Sequence, residues 1–216
     1  MPRVIDLSSH SDRLENVSLI VGEGLCSNIY VVGSKNVVVV DTGVGNQANP
    51  VWPQLDKLGV TPNKVKGVIL THAHHDHAMG TFIILQRADP KVYVHRLDAQ
   101  YIASHLGPNL VRVEDGDTIP TELWPLEVIW TPGHTKGGIC LYVREQKILF
   151  SGDTVFPDGY YGAYYGESGS LQEMVGSLRR LSELDVEVML PGHGWPAFEG
   201  AGDHIKLSLS KASRHP

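Results

Sequence analysis

The stretch Thr71-His72-Ala73-His74-His75-Asp76-His77 places four imidazoles and one carboxylate in six consecutive residues. It directly follows VKGVIL (65–70), an apolar run that is too short for a buried helix and has the β-branched residues of a buried strand. A lone histidine is more often a surface or core residue, but this density of imidazole and carboxylate indicates metal binding. A loop that leaves a strand can direct His72 and His74 toward one point and Asp76 and His77 toward a second point nearby.

Two further histidines follow predicted strands in loops that contain proline and glycine. Thr131-Pro132-Gly133-His134-Thr135 comes after LEVIW, and Pro191-Gly192-His193-Gly194 comes after VEVML. Glycine allows close approach of the backbone and proline stiffens the loop, so we expect both imidazoles to be held in place. Between these loops, Ser151-Gly152-Asp153-Thr154 puts a carboxylate at the end of another strand. An aspartate there is ordinarily a turn former, but its position between the two loops makes Asp153 a candidate ligand.

The composition is that of an ordinary globular protein and limits the possible functions. The chain has 216 residues, 42% of them hydrophobic, and no low-complexity run or linker divides it. Its formal charge of −6 disfavours a nucleic-acid partner, because binding phosphates requires a surplus of Lys and Arg. No apolar run approaches the roughly 20 residues that span a bilayer, and the N-terminus has no signal-peptide pattern. With only Cys26 and Cys140 as cysteines, we expect a cytoplasmic protein without disulfides. Because no linker divides the chain, we expect a single domain over residues 1–216.

Strands and helices alternate in a similar way in both halves of the chain, with a candidate motif just after a strand each time. Short helices are expected from Asn49-Pro50 to Gly59, over TFIILQRA (81–88) and over residues 96–106. A capping box at Ser170 begins another helix, and Asp203 is expected to cap a last one. Strands are predicted at 17–21, 28–32, 36–41, 65–70, 91–95, 126–131, 139–145, 147–153 and 186–190. This pattern predicts an α/β fold, a four-layer αβ/βα sandwich of two packed mixed β-sheets with helices on both outer faces.

The motifs HAHHDH, TPGHT, SGDT and PGHG resemble, in order and spacing, the metal motifs of the metallo-β-lactamase-fold superfamily. The resemblance extends over roughly residues 17–195. It implies that one metal is held by His72, His74 and His134, that the other is held by Asp76, His77 and His193, and that Asp153 bridges the two. Asp41, in VVVVDTG (37–43), matches a superfamily position beneath the site. It is expected either to orient a ligand imidazole or simply to form a turn before Gly43.

The remaining histidines and Cys140 are expected to be structural. His75 occupies a variable position of the motif and would point away from the metals, and His95 is in a strand register that does not reach the site. Cys140 lies inside a strand and is expected to be a small buried hydrophobe. The other histidines in this class are His10, His105, His204 and His215.

The resemblance implies a dinuclear hydrolase that uses a metal-bridging hydroxide. Zinc is the expected metal, with iron and manganese as alternatives, because imidazole and carboxylate ligands suit all three and zinc has the higher affinity. In this scheme Asp76 is both ligand and acceptor of the hydroxide proton, and Asp153 sets the distance between the metals. A Ser or Cys nucleophile is then not required.

The wording of TPGHTKGGICLYV and LFSGDTVF is similar to glyoxalase II, the hydroxyacylglutathione hydrolase branch. The chain continues for only 23 residues beyond His193, so the glutathione-binding helical extension of that branch is expected to be absent. The loop PDGYYGAYYGESGS (157–170) contains four tyrosines and no Lys or Arg. It is interpreted either as a substrate wall or as a packed lid or homodimer contact. The wall candidates are Phe156, Tyr160, Tyr161, Tyr164 and Tyr165.

An uncharged aromatic wall favours a small-molecule substrate, namely a small ester, thioester or lactone. A phosphodiesterase or ribonuclease on the same metals is the first alternative, and a mononuclear-iron persulfide dioxygenase is the second. A non-catalytic binding module that only keeps the fold is disfavoured because all seven ligands are present. β-Lactamase activity is expected to be promiscuous at most. No membrane association is expected.

Overall fold

Two mixed β-sheets organise the chain in the computed structural model, which describes residues 2–214. The first sheet has seven strands that lie side by side in chain order. They are β1 (Val4–Asp6), β2 (Val17–Ile20), β3 (Ile29–Val32), β4 (Val37–Val40), β5 (Val65–Ile69), β6 (Lys91–His95) and β7 (Leu110–Val113). Strands β1 to β4 pair antiparallel, and β4 to β7 pair parallel. The carboxyl ends of β4, β5 and β6 therefore meet at one edge of this sheet.

The second sheet has five strands in the order β14-β11-β10-β9-β8. Its strands are β8 (Thr118–Ile119), β9 (Leu126–Trp130), β10 (Ile139–Val143), β11 (Ile148–Gly152) and β14 (Val188–Pro191). Only the β11–β14 pair among these strands is parallel. A small hairpin of β12 (Val155–Phe156) and β13 (Tyr160–Tyr161) follows β11. The loops that carry Asp153 and His193 thus leave adjacent parallel strands in the same direction.

The helices cover the outer faces of the two sheets. Against the first sheet lie α1 (Val51–Lys57), α2 (His75–Ala78), α3 (Gly80–Leu85), α4 (Arg96–Ala99) and α5 (Ala103–Leu106). Against the second lie α6 (Leu171–Ser182) and α7 (Ala201–Ala212). The side chain of Ser170 accepts a hydrogen bond from the Glu173 amide, as the capping box predicts. None of the helices in residues 2–214 has the length and apolar character needed to cross a membrane.

Successive side chains of a strand point to opposite faces of its sheet, so continuous apolar strands contribute to three apolar layers. One layer lies between the two sheets, and the other two lie between each sheet and its helices. In β4, Val38 and Val40 face the core between the sheets, whereas Val37 and Val39 face the helices α1 and α3. In β10, Leu141 faces the central core, whereas Cys140 and Tyr142 face α6 and α7. Because both faces of these strands are buried, nearly every position is apolar. The predicted four-layer αβ/βα sandwich is confirmed.

Two helix predictions are wrong in detail. The helix expected over residues 96–106 is interrupted, because the amides of Tyr101 and Ile102 bond to carbonyls three residues back and end the first helix after one turn. The last helix begins after Gly200, which has a φ of 61°, and not at Asp203. Asp203 lies in the first turn of α7 and is not its cap. The short edge strands β1, β7 and β8 were not predicted.

Candidate metal centre

The loop after β5 is held by a buried carboxylate at the end of β4. Asp41 accepts hydrogen bonds from the Thr71 amide and the Thr71 hydroxyl, both at 2.8 Å, and contacts His77 Nδ1 at 2.8 Å. The Thr71 hydroxyl lies 3.1 Å from His72 Nδ1. The chain then turns into the short helix α2, which begins at His75. Asp41 thus contacts a candidate ligand imidazole, and its backbone also has the left-handed φ of 54° that suits a turn before Gly43, so features of both expectations are present.

The first group of candidate ligands consists of His72, His74 and His134, whose ring nitrogens converge. His74 Nδ1 and His134 Nε2 are 2.9 Å apart, and the buried Nε2 of His72 has no hydrogen-bond partner. His134 Nδ1 donates to the carbonyl oxygen of Ala163 at 2.6 Å, because a carbonyl can only accept. That bond leaves the His134 Nε2 lone pair facing the other two imidazoles.

The second group consists of Asp76, His77 and His193. His193 Nε2 lies 3.1 Å from Asp76 Oδ2 and 3.2 Å from His77 Nε2. The His77 side chain is fully buried, and its Nδ1 faces Asp41. This group therefore differs from the first in two respects. It contains the carboxylate of Asp76, and the carboxylate of Asp41 contacts the ring of His77.

Asp153 lies between the two groups. Its Oδ1 is 3.4 Å from His77 Nε2, and its Oδ2 is 3.6 Å from His134 Nε2 and 3.5 Å from His193 Nε2. Its Oδ1 is also buried and has no hydrogen-bond partner. A side chain at Gly192 would place a Cβ 2.2 Å from Asp153 Oδ1 and 2.7 Å from the His77 ring. Glycine is therefore required at position 192, because the backbone of the loop 191–194 lies so close to these two side chains.

The protonation states suit cation binding at most positions. Burial and the imidazoles of His77 and His134 hold the pKa of His72 well below its ordinary value, so its ring is neutral at pH 7. Burial acts to raise the pKa of Asp76, but the His193 hydrogen bond and the charge on His77 lower it to about 2. Burial lowers the pKa of His77, but the Asp41 and Asp153 carboxylates outweigh it and raise this pKa well above its usual range. A cation that takes His77 as a ligand must therefore displace a proton.

The residues present fit divalent cations. Within each group the candidate donor atoms lie within 4.8 Å of one another. Ligand atoms about 2.0–2.1 Å from a tetrahedral zinc ion are separated by about 3.3 Å, which is close to the contacts within and between the groups. The unpartnered Nε2 of His72 and Oδ1 of Asp153 are the atoms that a cation would satisfy, since buried polar atoms without partners are rare.

The histidines that were expected to be structural lie outside both groups. His75 is exposed, and His95 is buried and stacks on Trp130 with ring centroids 5.6 Å apart. His10, His105 and His204 contact Phe198, Ser104 and Asp158, respectively. Cys140 is fully buried in β10, as predicted, and burial raises its pKa to about 11. His215 lies outside the described residues.

The tyrosine loop adjoins the first group, but its four rings are not equivalent. Tyr160 and Tyr165 are exposed by 66% and 76%, whereas Tyr161 packs partly against the core beneath α6 and α7. Tyr164 stacks on Tyr161 at 6.3 Å and lies 4.5 Å from Tyr165. The four tyrosines line a cavity of about 390 Å³, whereas the half-buried Phe156 does not line it.

One expectation for this loop is wrong, because the wall is not free of cations. Lys211, from α7, lines the same cavity. Its ammonium donates to the Asp158 carbonyl at 2.8 Å and lies 5.0 Å from the centre of the Tyr160 ring. Sequence reasoning missed it because Lys211 is 51 residues from Tyr160 and reaches the loop only through the packing of α7. It also missed the Ala163 carbonyl, because every residue has a backbone carbonyl and the sequence gives no sign of which one will accept a hydrogen bond.

Comparison with known proteins identifies a family for this chain. A family model described as the metallo-beta-lactamase superfamily matches residues 21–193. The chain is 31% identical over 181 residues to the probable polyketide biosynthesis zinc-dependent hydrolase PksB of Bacillus subtilis (strain 168), covering 81% of this chain and 75% of that protein. It is 34% identical over 154 residues to a hydroxyacylglutathione hydrolase of Serratia proteamaculans (strain 568), covering 71% and 55%. It is 30% identical over 212 residues to the acyl-coenzyme A thioesterase MBLAC2 of Homo sapiens, covering 77% and 72%.

The chain thus spans between about half and three quarters of the length of these relatives. Among solved structures, a metallo-beta-lactamase from Pontibacter korlensis superposes with a TM-score of 0.80 over 100% of both chains at 22% identity. A metallo-beta-lactamase family protein from Thermus thermophilus gives 0.75 over 92% of this chain and 80% of that one, also at 22% identity. At such identity the likeness concerns the fold alone. The family match and the PksB relative together show that this chain belongs to the metallo-β-lactamase superfamily.

Proposed function

We propose that the chain is a dinuclear, zinc-dependent hydrolase that cleaves small thioesters, esters or lactones. The observation that carries the proposal is the position of Asp153, whose two carboxylate oxygens lie within 3.6 Å of imidazoles from both ligand groups. A carboxylate in that position can bridge two cations and offset their mutual repulsion. The proposed ligands are His72, His74 and His134 for one ion, Asp76, His77 and His193 for the other, and Asp153 for both.

When bound, two divalent cations polarise the scissile carbonyl and bring the pKa of water near neutrality. The chain's own residues supply the remaining functions. Asp76 is ionised at neutral pH, its side chain is partly exposed, and its carboxylate can accept a proton from an attacking water. Asp41 accepts from His77 Nδ1 and keeps the Nε2 of that ring directed at the centre. The Ala163 carbonyl does the same for His134.

The substrate wall favours thioesters within this class. The relatives include an acyl-coenzyme A thioesterase and a hydroxyacylglutathione hydrolase, and the tyrosine cavity lies beside His134 through the Ala163 contact. The tyrosine rings provide apolar surface with hydroxyl groups at the rim. Lys211 adds one cation, which suits a thiol leaving group that bears a carboxylate or a phosphate. A single cation is not the extended basic strip that a long polyanion requires.

The test combines metal analysis with a substrate panel. We expect about two zinc ions per chain and measurable kcat/KM on thioesters and lactones, with weaker turnover of an activated phosphodiester and little on RNA or a β-lactam. One ion per chain at full loading would contradict the dinuclear assignment. If RNA or the phosphodiester exceeds the carbonyl substrates in kcat/KM by more than about tenfold, roughly 1.4 kcal/mol of discrimination, the nuclease alternative replaces this proposal. Iron content with oxygen consumption on a persulfide would favour the dioxygenase instead.

A further inference from the structure

A buried carboxylate outside both ligand groups lies next to the metal loops. Asp98 is 0% exposed and belongs to α4, the short helix that follows β6. Strand β6 is the parallel neighbour of β5, so its carboxyl end adjoins the end from which the loop 71–77 departs. The mechanism described above gives Asp98 no role. A fully buried carboxylate is costly unless its oxygens accept several hydrogen bonds.

The hydrogen bonds of Asp98 join two loops that are far apart in the sequence. Its Oδ2 accepts from the Ala73 amide and from the Thr135 hydroxyl, both at 2.9 Å, and its Oδ1 accepts from the Gly137 amide at 2.8 Å. Ala73 lies between His72 and His74, and Thr135 directly follows His134. One side chain therefore connects the two segments that carry all three members of the first ligand group.

The loops are shaped to receive this carboxylate. A Cβ at Gly137 would lie 2.5 Å from both the Asp98 amide nitrogen and Asp98 Oδ1, so no side chain fits there. Thr135 is buried and its hydroxyl is directed at Asp98. All three partners are donors, so both oxygens of the Asp98 side chain act as acceptors. The contact is thus part of the packing and not a chance surface hydrogen bond.

We propose that Asp98 is a positioning residue for the first metal, because it sets the distance between the loop bearing His72 and His74 and the loop bearing His134. The inference rests on the metal centre of the proposed function and extends it to a residue that contacts no candidate ligand atom. Asp41 acts on the second group through direct contact with the His77 ring. Asp98 acts on the first group through backbone and hydroxyl groups adjacent to the ligands.

The experiment measures zinc affinity at each group separately by competition with a chromophoric chelator. In a His193→Ala background the remaining tight affinity reports the first group, and in a His134→Ala background it reports the second. We expect Asp98→Ala to weaken the first-group affinity by about 10–100-fold. Asp98→Asn should weaken it less, because the amide keeps one acceptor oxygen. In the His134→Ala background both substitutions should change the affinity by less than about threefold.

The matched control is Asp115→Asn. Asp115 also accepts a backbone amide, that of Trp130 at 2.9 Å, and pairs with Arg180 away from both groups. It should leave both zinc affinities unchanged. Thermal unfolding of the metal-free chains provides a readout that does not depend on zinc, so a general loss of stability is recognised as such.

Equal weakening at both groups, or no weakening at the first, overturns the proposal. If Asp98→Ala does not fold, Thr135→Val removes one donor while keeping the side-chain size, and it should weaken the first group by about fivefold and leave the second unchanged. Unchanged first-group affinity in that variant likewise overturns the proposal. Failure of the unsubstituted chain to bind zinc would contradict the proposed function itself, whereas zinc binding that is insensitive to Asp98 contradicts this inference alone.

Discussion

The two halves of the candidate metal centre are held in different ways. In the first group, the Thr71 hydroxyl contacts His72 and the Ala163 carbonyl accepts from His134, so neutral groups orient the rings. In the second group, the carboxylate of Asp41 contacts the fully buried ring of His77. Asp41 therefore places negative charge directly against a ring of the second group, whereas the carboxylate of Asp98 acts on the first group only through its loops. Substitution of Asp41 and substitution of Asp98 should consequently affect mainly different ions.

Asp153 faces both ligand groups, so its substitution should not distinguish them, and we expect the largest effect on activity there. Asp153→Asn keeps the size of the side chain but removes the charge that faces both groups, so two cations would repel each other with less compensation. We expect kcat/KM to fall at least about 100-fold at limiting zinc and to recover partly in excess zinc. Asp158→Asn, an exposed carboxylate in the following loop, is the control and should retain activity. Unchanged zinc affinity at both groups would show that Asp153 is only a structural cap.

Removal of one imidazole from each group in turn tests whether the two groups hold their ions with different strengths. His134→Ala leaves the first group with two neutral imidazoles besides Asp153, so we expect that ion to be lost and the zinc content to fall to about one per chain. His193→Ala leaves the second group with Asp76 and His77 besides Asp153, so the ion should remain but bind more weakly. Metal content after gel filtration, followed by zinc titration, separates the two outcomes. Loss of the second ion with retention of the first would reverse the order of strength inferred here.

Asp41→Asn should have a smaller and more selective effect. Asparagine has only one acceptor oxygen for the Thr71 amide, the Thr71 hydroxyl and His77, so at least one donor is left without its partner. We expect zinc affinity at the second group to fall by about tenfold. The free energy of unfolding of the metal-free chain should fall by about 1–3 kcal/mol. Chelator competition and denaturant unfolding measure these effects, and a loss confined to the first group would contradict the assignment of Asp41 to His77.

Local pattern accounts for what could be predicted from the sequence. Runs such as VVVV (37–40) and ICLYV (139–143) alternate between two apolar environments, which indicates strands covered on both faces. The loops after β5, β9, β11 and β14 carry the candidate ligands, and the packing of the two sheets brings these loops together. The edge strand β1 was missed because three residues are too few for a periodic signal.

Contacts that depend on tertiary packing could not be predicted. The Ala163 carbonyl is a backbone atom, and any residue in that position would supply it. Lys211 reaches the tyrosine cavity from a helix that is distant in the sequence. Asp98 follows β6 in the parallel part of the first sheet, so its position at the carboxyl edge was a usable signal, although it lies in no recognisable motif. The motifs therefore indicate the candidate ligands and Asp41, whereas Asp98, which also holds the loops but lies outside every motif, is missed.

The smallest effect on zinc content and activity is expected at His75. Its substitution tests whether the candidate ligands within HAHHDH (72–77) are assigned correctly. His75 lies between His74 and Asp76 in the sequence, yet it is exposed as the first residue of α2 and belongs to neither ligand group. His77, two residues further along the same helix, is by contrast fully buried and belongs to the second group. We therefore expect His75→Ala to keep about two zinc ions and a kcat/KM within about threefold of the unsubstituted chain, as for a surface substitution. His74→Ala, one residue away, is the matched contrast and should lose first-group zinc. Loss of activity in His75→Ala with both ions retained would mean that this ring acts on the substrate, and the assignment of imidazoles within the loop would have to be revised.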